Sequence, residues 1–153
     1  MKLSTVTLAA LAVTALAILP SFTAPAPTAV QEGRERSELA EAMQTVNRGL
    51  RQLRGVLKDD AKMMEKLPDV VALQSAVLAS KEHLPAKVTA LTDAKKKAEE
   101  TAAYRKDMNT FLRGLLDVEE AFLAGDGDAA KKSLQALERL KRTSHGRFQE
   151  RGR

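Results

Sequence analysis

The chain has 153 residues, of which 29% are charged and only 3% are aromatic, and it contains no cysteine. This composition is typical of a small helical protein, and the absence of cysteine excludes disulfide bonds, so stability must come from packing alone. The formal net charge is +5, with basic residues concentrated in the C-terminal stretch KRTSHGRFQERGR. A basic tail often indicates nucleic acid, but charges that alternate along a helix usually form a solvated face.

Residues 1–29 have the composition of a secretory signal peptide. Lys2 carries the only charge, an apolar run of about 14 residues from Val6 to Leu19 follows it, and small residues and prolines come next. This run is shorter than the roughly 20 residues that span a hydrocarbon core. We therefore predict cleavage between residues 24 and 31 and a soluble periplasmic protein without stable membrane insertion, with a retained anchor as the alternative. Export also argues against a nucleic-acid partner.

An apolar stripe predicts the first helix of the mature chain, over about 34–60. Its residues recur at alternating spacings of four and three: Leu39, Met43, Val46, Leu50, Leu53 and Leu57. Met43 stands where a leucine would serve as well. Methionine fills irregular gaps in cores, but its thioether is also a soft metal ligand, and spacing alone does not choose between these uses.

The next two helices are predicted at about 69–82 and 92–123. Pro68 suits the first turn of the earlier helix, which ends before Pro85 because the residue preceding a proline is disfavoured in helical conformation. A second regular stripe marks the later helix: Tyr104, Met108, Phe111, Leu115, Val118 and Phe122.

Two glycines in AGDGDAAKK predict a helix stop, and Asp128 is the expected N-cap of a last helix over about 128–151. One face of that helix carries His145, with Phe148 three residues later. Four amphipathic helices with short connections and no strand signal predict an all-α fold, in which residues 30–153 form one antiparallel up-down-up-down four-helix bundle.

In that topology, the start of the first helix and the end of the last helix lie side by side. Met43 and His145 then face inward at about the same height. Taken singly, an inward methionine is most often core filler, and a histidine near a helix C-terminus most often interacts with the final carbonyls. A buried imidazole needs a partner, however, and no acceptor is evident on the same face. A haem iron has two axial positions, which one imidazole and one thioether fill, and electron transfer is the result.

Two segments resemble the cytochrome b562 family. EAMQTVNRGLRQL looks like the first-helix signature, in which the ligand methionine precedes a threonine, an aliphatic residue and an asparagine; LERLKRTSHGRFQER is similar to the last helix, where an aromatic residue follows the ligand histidine. The resemblance implies that Met43 and His145 are the axial ligands of one noncovalent haem b per chain. AYRKDMNTF resembles the third-helix segment that carries haem-contacting aromatic residues, which implies that Tyr104 and Met108 lie in the haem pocket. Phe148, the aromatic residue after the ligand histidine, would wall the ring with them.

These expectations extend to partners. We expect a monomeric electron carrier rather than an enzyme, since no catalytic triad, HExxH motif or glycine-rich phosphate loop is present. Arg142, Lys141 or Arg147 would meet the haem propionates as charge-assisted pairs. The positive surface would favour an acidic redox partner protein at low salt.

Two alternatives stay open. The chain is also consistent with a haem-free exported bundle that binds a protein partner or acts in the envelope, because a fold does not guarantee a retained cofactor. Copper handling by methionine and histidine is a further possibility, although the methionines are dispersed along the sequence. Met63 and Met64 are expected at the surface or in a loop, and His83 in an exposed connection.

Overall fold

The computed structural model describes residues 29–149, and every described element is a helix. The helices are α1 (Ala29–Arg54), α2 (Asp60–Glu65), α3 (Leu67–Ser80), α4 (Ala86–Thr89), α5 (Ala94–Leu123) and α6 (Gly127–Phe148). The all-α prediction is therefore confirmed for this part of the chain. The predicted signal peptide lies outside the described residues except for Ala29, and stays a prediction.

Side-chain caps place the starts of three helices differently from the sequence expectation. Asp126, rather than Asp128, caps α6, because its Oδ1 accepts a hydrogen bond from the Ala129 amide at 2.8 Å. Asp93 caps α5 in the same way, accepting from the Lys96 amide at 2.8 Å. Asp59 begins α2, which interrupts the single helix expected to continue to about residue 60.

The long helices contact one another through pairs whose residue numbers rise on one helix as they fall on the next. Between α3 and α5, the Gln74 amide donates to Glu119 at 2.6 Å and the Tyr104 hydroxyl donates to the Ser80 carbonyl at 2.9 Å. Further pairs connect α5 with α6 and α1 with α6: Asp107 with Ser144, Glu100 with Arg147, and Arg54 with Glu138. One continuous apolar core lies between these helices.

Two side chains differ from the sequence expectation because of the connections around them. Met63 is fully buried and belongs to the core, since the short helix α2 contacts α5 and turns this residue inward. Its neighbour Met64 is 49% exposed, as expected. His83 is partly buried rather than exposed, and its Nε2 lies 3.4 Å from a carboxylate oxygen of Glu38 on α1.

Candidate functional site

A small cavity lies where α1, α3, α5 and α6 converge, and its volume is about 30 Å³. Met43 reaches it from α1, Met108 from α5 and His145 from α6. Val77 of α3 and Phe111 of α5 contribute apolar walls. The helical periodicity thus brings three of the five residues predicted to bind a cofactor to one place, although they are far apart in the sequence.

His145 is half-buried beside this cavity, and its imidazole makes no hydrogen bond or ion pair with any residue in 29–149. Burial lowers the pKa of the imidazole below its ordinary value of 6.5, and the positive charge of Lys141 lowers it further. Both effects favour the neutral form of the ring. A neutral imidazole without a partner offers a nitrogen lone pair to a metal ion.

Met43 is half-buried and packs against the core, whereas Met108 is 7% exposed. A thioether sulfur is a soft donor, and together with an imidazole nitrogen it forms the Met/His ligand set of cytochrome haem iron. The chemistry of Met43 and His145 therefore fits an iron porphyrin with two axial protein ligands.

Tyr104 and Phe148, the other two predicted pocket residues, do not line the cavity. Their rings pack edge to face with centroids 5.4 Å apart, and both side chains are buried. The Tyr104 hydroxyl donates to the Ser80 carbonyl, and burial raises the pKa of this phenol to about 12. The structure shows these two rings in a packing role next to the cavity.

Sequence reasoning missed a polar pair in the cavity wall. Ser144 is 8% exposed, and its hydroxyl donates a hydrogen bond to a carboxylate oxygen of Asp107 on α5. Both residues line the cavity. The signal was available, because Ser144 lies seven residues after Leu137 and four before Phe148, on the buried stripe of α6.

A second concavity, of about 530 Å³, adjoins the cavity between α1 and α6. We call it the α1–α6 groove, and its lining consists of Gln44, Asn47, Arg48, Arg51, Arg54, Glu138 and Lys141. Asn47 and Lys141 also line the cavity, so the two spaces meet. The sequence did not predict this groove, because arginines on the polar side of an amphipathic helix are usually interpreted as solvent-exposed residues.

The residues that line the cavity match a haem in their chemistry, but the volume of the cavity is small. A cavity of about 30 Å³ has room for about one water molecule, whereas sites for ligands of drug size occupy roughly 300–1,000 Å³. The side chains that line the cavity thus have the chemistry of a haem site, whereas the volume of the cavity is well below that of such ligand sites. The adjoining groove shows where the surface is already open.

Residues 29–149 hold no cluster of three or more His, Cys, Asp or Glu side chains suited to a metal ion. Within the same range, no helix is long and apolar enough to cross a membrane.

A family model described as cytochrome b562 matches residues 38–149. The matched range covers well over half of the chain and includes both Met43 and His145. No curated protein and no solved structure shows a significant match to the chain.

Proposed function

Because the chain belongs to the cytochrome b562 family, we propose that it is a periplasmic electron-transfer protein that binds one haem b noncovalently through Met43 and His145. Proteins of this family bind haem noncovalently and carry electrons. The observation that carries the assignment of ligands is the cavity between α1 and α6, which a thioether and an unpartnered imidazole both line.

Each ligand has a role that its surroundings explain. His145 would hold the iron through an imidazole nitrogen, whose neutral form the lowered pKa favours, and Met43 would hold it through its sulfur from α1. With both residues holding the iron, no open iron position would remain for oxygen or peroxide, and the Met/His set would raise the reduction potential. The bound haem supplies reversible one-electron chemistry at its iron. Val77, Phe111 and Met108 provide apolar surface that excludes water from the ligands.

The architecture that we propose is an antiparallel up-down-up-down bundle of α1, α3, α5 and α6, with α2 and α4 as short connections. The opposed numbering of contact pairs supports it: residues 74 and 80 of α3 meet 119 and 104 of α5. The haem would enter between α1 and α6, whose described polar contacts include the pair of Arg54 with Glu138. We also propose a monomeric carrier without enzymatic activity and an acidic redox partner, which the excess of basic over acidic residues supports.

A haemin titration followed by dithionite reduction tests this function, with the absorption spectrum as the readout. The wild type should give a sharp low-spin spectrum at one haem per chain, and Met43→Ala or His145→Ala should abolish it. The chain supplies matched controls, since Met64 is 49% exposed and His83 pairs with Glu38 away from the cavity. Met64→Ala and His83→Ala should keep the wild-type spectrum. A broad spectrum in the wild type, typical of nonspecific haem, would favour the haem-free exported bundle instead.

Copper binding is a second candidate, because the structure brings two of the dispersed methionines together. Met43, Met108 and His145 line one cavity, and thioethers with imidazole are ligands for copper(I). Met108→Leu separates the two functions. It should weaken copper(I) binding in a chelator competition assay if copper is the cargo, whereas the low-spin haem spectrum should survive if Met108 only packs against the ring.

A further inference from the structure

The α1–α6 groove carries more positive charge than its own residues neutralise. Its cations are Arg48, Arg51, Arg54 and Lys141, and Glu138 is the only carboxylate among its lining residues. That carboxylate is already shared, because it pairs with Arg54 and lies 3.0 Å from the Lys141 ammonium. The groove thus retains an excess of basic groups.

Arg48 and Arg51 account for this excess. Both are exposed, and neither makes a hydrogen bond or ion pair with another residue of the described range 29–149. They lie three residues apart on α1, so their guanidinium groups project from the same side of the helix. Guanidinium forks match carboxylate groups in geometry, and two adjacent forks match a ligand with two carboxylates.

The groove also leads directly to the proposed ligand pair. Asn47 and Lys141 line both spaces; Asn47 lies four residues after Met43 on α1, and Lys141 lies four residues before His145 on α6. A flat porphyrin held between Met43 and His145 would therefore extend one edge into the groove. A haem b carries its two propionate carboxylates on one edge.

We propose that the α1–α6 groove binds the two haem propionates, with Arg48 and Arg51 as their main partners, and so fixes which edge of the ring faces this opening. This inference rests on the proposed haem-binding function. It revises the partners expected from the sequence. Arg147 is held by Glu100 at 2.9 and 3.0 Å, and Arg142 lines a different groove, beside Arg139.

The test compares two double variants that remove the same charge. Arg48→Gln with Arg51→Gln alters the groove, whereas Arg105→Gln with Arg113→Gln removes two exposed arginines of α5 that have no partner in residues 29–149. The dissociation constants of haemin and of its dimethyl ester, in which the propionates are uncharged, are measured for each protein. Unfolding curves of the haem-free proteins check that both variants fold.

The groove variant should bind haemin roughly tenfold more weakly, because it loses two exposed charge pairs with the propionates. Its affinity for the dimethyl ester should stay unchanged. The α5 variant should match the wild type with both ligands. Equal losses in both variants, an equal loss with the ester, or no loss at all would overturn the proposal. These results leave the haem function standing as long as Met43→Ala and His145→Ala abolish the low-spin spectrum; if haemin binds without these ligands, both proposals fall.

Discussion

Two glycines of α6 occupy opposite steric environments. A Cβ on Gly127 would lie 2.1 Å from the backbone carbonyl oxygen of Leu57, whereas a Cβ on Gly146 would meet no atom within 4 Å. A backbone atom cannot yield as a side-chain terminus does, so the close approach at the start of α6 requires glycine. Near the other end of the helix, glycine only lowers helix propensity.

Alanine substitutions at these positions should therefore change stability in opposite directions. We expect Gly127→Ala to lower the free energy of unfolding by about 1–3 kcal/mol through overpacking, and Gly146→Ala to raise it by up to about 1 kcal/mol. Urea unfolding of the haem-free protein measures both values. A neutral Gly127→Ala would mean that the connection around Leu57 does not approach α6 as the structure shows.

The Tyr104 hydroxyl stabilises the junction of α3 and α5. It donates to the Ser80 carbonyl, one of the last carbonyls of α3, and the site is buried. Tyr104→Phe should keep the edge-to-face contact with Phe148 and cost about 1 kcal/mol of unfolding free energy, because one buried acceptor loses its donor. The haemin dissociation constant should stay unchanged in this variant. A clear loss of haemin affinity would instead give Tyr104 the pocket role that the sequence predicts.

At the level of the helices, the sequence pattern predicted which residues meet in the cavity more accurately than it predicted where each helix begins and ends. Alternating spacings of four and three oriented the apolar faces, so Met43 and His145 came to one cavity as expected. The interruption after Arg54 was not predictable from that stripe, because Leu57 continues the pattern while the turn residues break the helix. The cap of α6 lies two positions before the expected one, because Asp126 and Asp128 are both favourable N-cap residues and the sequence does not choose between them.

The α1–α6 groove could not be predicted from the sequence pattern for a related reason. Periodicity marks Arg48, Arg51 and Arg54 as lying outside the apolar stripe, but it does not show that α6 faces them with Lys141 and Glu138. Likewise, the sequence pattern did not distinguish residues that line the cavity from Tyr104 and Phe148, which pack beside it. Such distinctions depend on how the helices rotate against one another.

Glu138 connects α6 to α1 through Arg54, and this pairing makes stability depend on pH. Burial raises the pKa of its carboxyl, but the hydrogen bond and charge of Lys141, together with Arg54, lower it by more, so the pKa lies below its ordinary value of 4.5. A carboxylate with a lowered pKa in the folded state stabilises the protein above the unfolded-state pKa. This contribution is lost as the pH falls from about 4.5 through the folded-state pKa.

Glu138→Gln should remove that contribution. We expect the difference in unfolding free energy between wild type and variant to be constant above about pH 5 and to shrink as the pH decreases below about 4.5. Chemical denaturation at several pH values measures it. A difference that stays the same between pH 6 and pH 3 would show that the ion pairs between α1 and α6 do not stabilise the fold.

For the whole molecule, the structure combines one continuous apolar core with a small cavity that Met43 and His145 both line. That cavity has a volume of about 30 Å³, and it meets the larger α1–α6 groove at Asn47 and Lys141. Under the proposed function, a haem would enter beside this groove, where the pair of Arg54 with Glu138 connects α1 with α6. In the proposed haem complex, the bound ring would complete the core between the four long helices.

The central claim is that Met43 and His145 both ligate one haem iron. The most direct measurement is the proton NMR spectrum of the reduced, haem-loaded protein, in which the methyl group of a coordinated methionine is shifted strongly upfield by the porphyrin ring current. We predict one such methyl signal in the wild type and in Met64→Ala and Met108→Leu, and its absence in Met43→Ala. An upfield methyl signal that survives in Met43→Ala, or its absence from a stoichiometric wild-type complex, would contradict the account.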